Sequence, residues 1–155
     1  KMYVLGPSKV IGPEVTDRLR KLGTVTRLGG QDPVENAVEF SRFADGSFGW
    51  GVQDAGHGLV FARSDRTLDA VAAAPLSASG KYGPLLLLDK AGEVPKRVEQ
   101  QLLDIQPGYS RDPVRGVYNH GWIIGDDDAI SVATQAEIDA LLEIVPVSGS
   151  SQPPA

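Results

Sequence analysis

Brief apolar runs at residues 2–5, 24–28, 58–62, 84–88, 121–124 and 144–147 are separated by stretches in which apolar residues recur at helical spacing. Most of the runs lack polar alternation, the pattern of strands buried on both faces. Behind Pro13, which suits a first helical position, Val15, Leu19 and Leu22 share one face. Asp32, Pro33 and Glu35 supply an N-cap, a first-turn proline and a third-position acid, so a capping box should open the next helix. Leu68, Val71, Ala72, Pro75 and Leu76 follow helical spacing, and Pro75 is expected to kink or end that helix because it has no N–H to return to Val71. Pro95 opens a helix with Val98, Leu102 and Ile105 inward, and Thr134 with Glu137 is read as the cap of a last one carrying Ile138, Leu141 and Leu142. The order βαβαβαβαβαβ implies a Rossmann-like or flavodoxin-like three-layer α/β sandwich with a largely parallel sheet. Ligands of such sheets sit at the carboxyl ends of strands, here the loops after Leu5, Leu28, Ala62, Leu88 and Ile124.

The chain also echoes itself. YVLGPSKVIGPEV (residues 3–15) and WIIGDDDAISVATQAEI (residues 122–138) each run from an apolar strand through a glycine, Gly6 or Gly125, to a small apolar pair, Val10-Ile11 or Ala129-Ile130, and then a helix. A recurring strand–turn–helix unit points to a repeat architecture rather than a single catalytic constellation.

Length and composition bound what remains. The 155 residues suffice for one core, and residues 1–147 are expected to form a single domain. SGSSQPPA, residues 148–155, reads as a flexible tail or linker. The chain begins at Lys1, already entering an apolar run with no signal peptide, and reads as an excised or processed piece of something longer. No apolar stretch approaches the roughly 20 residues of a membrane span, so no membrane insertion is expected. A net charge of -5 leaves no basic field to gather nucleic acid. The absence of cysteine removes disulfides and thiolate chemistry while permitting an extracellular setting.

Catalytic signals are weak. Neither G-x-x-x-x-G-K-[ST] nor G-x-G-x-x-G follows any strand. The glycine-rich stretch from Gly46 to Gly58 precedes a strand and reads as a connecting loop, with Phe48 and Trp50 either stacking on a ligand or stapling the loop to the core. The densest strand-end polar cluster contains Ser64, Asp65 and Asp69, which could offer a nucleophile and a carboxylate pair but read first as the capping groups of a helix N-terminus. Asp126, Asp127 and Asp128 read as a solvated turn rather than a hard-cation site, and His57 and His120 lack the i, i+4 partner of a helical metal site. No metal or other cofactor is expected.

The segment LVFARSDRTLDAVAAAPLSASGKYGPLLLLDK, residues 59–90, resembles the centre of the type 2 cell wall-binding repeat of bacterial surface proteins. Asp69-Ala70 stands where that repeat opens an alanine-rich helix, Ala72 to Leu76 where the helix closes on Pro-Leu, and Pro84 to Lys90 where a Pro-Leu-Leu strand follows. Arg27-Leu28-Gly29-Gly30-Gln31-Asp32 is similar to the family's opening segment, and both strand–Gly–helix units are similar to its closing one. Residues 27–143 then correspond to one full repeat and residues 2–22 to the end of a preceding one. The chain departs from the family at Pro33-Val34-Glu35-Asn36, at the closing turns Gly6-Pro7 and Gly125-Asp126, and in the longer connection QPGYSRDPVRGVYNH at 106–120.

The resemblance implies a non-catalytic module that anchors a larger protein at the cell wall or cell surface, outside the cell. Its implied partner is an anionic wall polysaccharide such as teichoic acid, with sister repeats or a homo-trimer as further partners. An anionic polymer needs cations, and local ones exist: Arg18, Arg20, Lys21 and Arg27 near the first helix, and Arg111 and Arg115 in the long connection, where Tyr109, Tyr118 and His120 add aromatic faces. Two rivals stand beside this reading. A Rossmann-like small-molecule binder or hydrolase would centre on Ser64, Asp65, Asp69 and Asp126, with raised carboxylate pKa values. A structural repeat for surface-protein assembly would leave an apolar patch on the first, half-length unit.

Overall fold

A computed structural model describes residues 1–46, 48–78, 83–112 and 116–147. Its centre is β5 (Gly58–Arg63), whose LVFA run is buried on both faces. β5 pairs in parallel with β6 (Leu85–Leu88) on one edge and with β8 (His120–Ile123) on the other. Leu59 and Phe61 point into the larger core with Val34 and Val38 of α2 (Pro33–Arg42), Val98 and Leu102 of α4 (Lys96–Asp104), and Ile138 and Leu142 of α5 (Val132–Leu142). Val60 and Ala62 point the other way, onto Ala70, Ala73 and Leu76 of α3 (Thr67–Ala78). The period-2 alternation of one strand thus places helices on both faces of the sheet.

The chain does not join all its strands in one sheet. β1 (Met2–Leu5) and β2 (Val25–Leu28), bracketing α1 (Pro13–Arg20), form a separate parallel pair. β7 (Gly108–Tyr109) pairs in parallel with β9 (Val145–Pro146), and β3 (Ala44–Asp45) with β4 (Phe48–Gly49) in an antiparallel hairpin. β3, β4 and β7 are two residues each, too short to leave a periodic signal in sequence. Phe48 stacks on Tyr3 with ring centroids 3.9 Å apart, and Trp50 packs on the larger core, so both staple the glycine-rich loop.

Helix ends follow side-chain chemistry, with one cap differing from expectation. Glu35 N donates to Asp32 Oδ1 (2.9 Å) and Gln31 N to Glu35 Oε2 (2.7 Å), so the capping box at α2 closes. The last helix is capped by Ser131, whose Oγ accepts from Thr134 N at 3.2 Å. Thr134 is instead buried inside the first turn and donates its hydroxyl to Ala91 O at 2.8 Å. α3 runs through Pro75 to Ala78, where Val71 and Pro75 are both exposed, so the carbonyl that loses its amide partner lies at a hydrated surface. Two buried amides tie loops to the core. Gln101 donates to Val52 O (3.1 Å) and accepts from Arg42 (2.7 Å). Asn119 donates to Ile105 O (2.9 Å) and accepts from Gly56 N and His57 N.

Candidate functional site

β8 is an edge strand among the described residues, and a recess opens beside it. His120 N donates to His57 O and Ile124 N to Phe61 O, so residues 120, 122 and 124 face β5. In a parallel ladder the intervening residues face the opposite way, which turns Gly121 and Ile123 toward an edge with no strand partner among the described residues. Between that edge and α5 lies a groove of about 950 Å³, lined by Tyr118, His120, Trp122, Gln135, Asp139 and Glu143 among others. The His120 and Trp122 rings stand 6.3 Å apart at a 45° tilt. A smaller recess of about 440 Å³ is formed by Gly108, Tyr109, Ser110, Arg111, Asp112 and Gly116.

The sequence candidates therefore divide. Tyr118 and His120 line the groove, and Tyr109 and Arg111 line the recess. Arg115 lies outside the described residues. Arg18 and Lys21 belong to α1 and its C-cap, exposed on the β1–β2 unit. Arg27 is committed to structure: its guanidinium donates to Gly6 O (2.7 Å) and Ile11 O (2.6 Å). Arg20 pairs with Asp17 at 2.6 Å.

The strand-end cluster of Ser64, Asp65 and Asp69 is a lattice of ion pairs. Arg63 holds Asp65 with two bonds of 2.5 and 2.8 Å and reaches Ala129 O at 3.1 Å. These guanidinium hydrogen bonds hold the Asp65 carboxyl below the usual carboxylate range, opposite to a proton-donating acid. Arg66 bridges Asp69 (2.8 Å) and Asp126 (3.2 Å). Asp69 Oδ2 is sheltered and meets Arg66 as a charge neighbour, without hydrogen-bond geometry. Ser64 N completes the β5–β6 ladder through Leu88 O at 2.8 Å. Asp126 also accepts from Ala129 N (2.9 Å), and Asp127 and Asp128 are exposed. Among the described residues, no three His, Cys, Asp or Glu converge as metal ligands.

Two contributors escaped the sequence reading. Trp122 forms part of the groove wall, yet in sequence it is one more apolar strand residue. Asn119 fixes the approach to β8 from three sides and sits between exposed Tyr118 and His120, where nothing in the sequence marks it as buried.

A family described as cell wall binding domain 2 matches residues 27–135, well over half of the chain. The chain belongs to the cell wall binding domain 2 family. No curated protein matches it. The portion matched to the cell wall binding domain begins at Arg27 in β2 and ends in the first turn of α5, so it takes in the β6–β5–β8 sheet, the strand-end ion pairs, the recess and the β8 wall of the groove. Membership associates the chain with the cell wall. Among the described residues no helix of this cell wall binding domain is long and apolar enough to cross a membrane.

Proposed function

We propose that this chain is a non-catalytic extracellular module that anchors a larger protein by binding an anionic cell wall polymer, teichoic acid being one such type. The observation that carries the reading is the family match across residues 27–135. The surface best suited to the polymer runs from the recess to the mouth of the groove. Arg111 has no ion pair among the described residues and offers a fork for phosphate or carboxylate, and Tyr109, Tyr118, His120 and Trp122 offer faces for sugar rings. Among the described residues the groove's lining includes Asp139 and Glu143 and no Lys or Arg, so the anionic groups fall to the recess and the uncharged ring faces to the groove. Residues 27–143 act as one repeat and residues 2–22 as the end of a preceding one, in a Rossmann-like layering supported by helices on both faces of the parallel sheet. Absence of catalysis is supported by the Arg63–Asp65 pairing, which leaves that carboxylate ionised and engaged.

The test is co-sedimentation of the chain with bacterial cell walls before and after acid extraction of their anionic polymers, across a salt series. Binding that is lost on extraction and weakens with salt is expected, because exposed charge contacts are screened within about 10 Å at 0.1 M salt. Binding that survives both treatments overturns the anionic-polymer reading.

A further inference from the structure

The two strand–turn–helix units align position for position at a separation of 119 through the strand, the turn and the start of the helix, with α1 ending at Arg20 and α5 running on to Leu142. Gly6 and Gly125 both have positive φ (105° and 131°). Val10 N and Ile11 N return to Pro7 O as Ala129 N and Ile130 N return to Asp126 O, and Thr16 N bonds Gly12 O as Gln135 N bonds Ser131 O. Their surroundings differ. In the second unit Ala129 and Ile130 are fully buried and Ile138 is 2% exposed, packed in one core with Leu59, Phe61, Leu88 and Val98. Ser131 N donates to Ala91 O (2.9 Å), and Arg63 reaches Ala129 O. In the first unit Val10, the counterpart of Ala129, is 72% exposed, Leu22, the counterpart of Leu141, is 80% exposed, and Leu5 and Val15 are half-exposed.

The outer strand edge, unpaired among the described residues, agrees. Met2 N donates to Thr24 O and Gly6 N to Leu28 O, so residues 2, 4 and 6 face β2 and Tyr3 and Leu5 face away. That outward edge is the counterpart of the edge β8 presents to β5.

We infer that the outer face of β1–α1 is a docking surface for the body of another repeat of this type, which adds a β5-like strand in parallel to the Tyr3–Leu5 edge. Leu- and Phe-type side chains of that strand cover Val10, Ile11 and Leu19, a carbonyl equivalent to Ala91 O takes the Gly12 N–H, and an arginine equivalent to Arg63 takes Val10 O. An intact second copy does not fit, because its own β8 already occupies that edge of β5. The partner is a repeat body whose closing unit is β1–α1 itself. The inference rests on the proposed reading of residues 2–22 as the end of a preceding repeat and is independent of polymer binding.

The test uses the full chain carrying Val10→Cys, a unique thiol since the sequence has no cysteine, with two N-terminal extensions. In the first, residues 27–119 precede Lys1, so that Lys1 takes the place of His120. In the second, residues 27–143 precede Lys1 and the added body brings its own closing unit. Thiol labelling of Val10→Cys is expected to slow roughly 100-fold in the first extension and to stay at the unextended rate in the second. Val132→Cys, at a position 68% exposed, should label rapidly in both. Equal Val10→Cys rates in the two extensions, including the case in which the added 27–119 segment stays unfolded, overturn the inference.

Discussion

Residues 1–28 and 120–147 begin with the same local programme and end in opposite environments. The second unit is closed on the side that faces β5 and open on the other, where the groove lies. The first is open on the β5-like side and closed by β2 on the other. The strand after each helix decides the second contrast. β2 reaches its place beside β1 because Arg27 donates to both Gly6 O and Ile11 O, locking strand, turn and helix together. Its counterpart 119 residues on is Pro146, which has no donor, and Ile130 O, the counterpart of Ile11 O, is taken by Gln135 at 2.8 Å. Gly29 adds a steric condition: with φ 141°, a Cβ there would lie 1.9 Å from Asn36 Oδ1 and 2.6 Å from Gly6 N. The residue at the corresponding place is Ser148, outside the described residues. β9 spends the N–H groups of Val145 and Val147 on Pro107 O and Tyr109 O instead. These are the counterparts of the Thr26 and Leu28 groups that face β1. One local programme thus yields a closed strand edge or an open groove according to two or three side chains.

The largest break in this comparison is Phe61→Ala. It removes a fully buried ring from the core that covers the second unit and is expected to cost about 3–5 kcal/mol. Denaturant titration reads the cost, and native-state amide exchange should show Ile124 losing protection while Met2 and Val4 keep theirs. Gly29→Ala is expected to act the other way round, freeing Met2 and Gly6 amides and leaving Ile124 protected, at about 2–4 kcal/mol. Arg27→Ala should loosen the same unit by about 1.5–3 kcal/mol, through two lost charge-assisted bonds to backbone carbonyls. The smallest effect is acid sensitivity. Asp65 is held below the usual carboxylate range by Arg63, Asp104 by Gln100 and Arg42, and Asp45 by Lys1 and Tyr3. The unfolded chain binds protons at these groups first as pH falls. Their contribution is therefore fully present above about pH 4 and declines below it. Urea midpoints across pH 2–6 should fall only on the acid side, and less steeply in Asp65→Asn.

What sequence revealed was local. The buried LVFA run of β5, the Asp32–Glu35 box and the doubled strand–Gly–helix unit all follow from a residue and its near neighbours. The sequence does not distinguish a cap at Thr134 from one at Ser131, which offers the same chemistry three residues earlier, and only the Ala91 carbonyl decides which hydroxyl turns inward. The division of the strands among sheets was not legible, since β9 presents the same two N–H groups to β7 as it would to β8. The candidate surface was half legible. Tyr109, Arg111, Tyr118 and His120 stood out by type, whereas their separation into groove and recess depends on β8 being an edge strand and on Asn119 fixing its approach.

The most direct measurement is wall co-sedimentation of two full-length variants side by side, Arg111→Glu in the recess and Arg18→Glu/Lys21→Glu on the first unit. These side chains are exposed, so both variants should fold. The account predicts that Arg111→Glu loses most of its wall binding and that the α1 variant keeps its own. Loss in the α1 variant with retention in Arg111→Glu would contradict it and move recognition to the other end of the molecule.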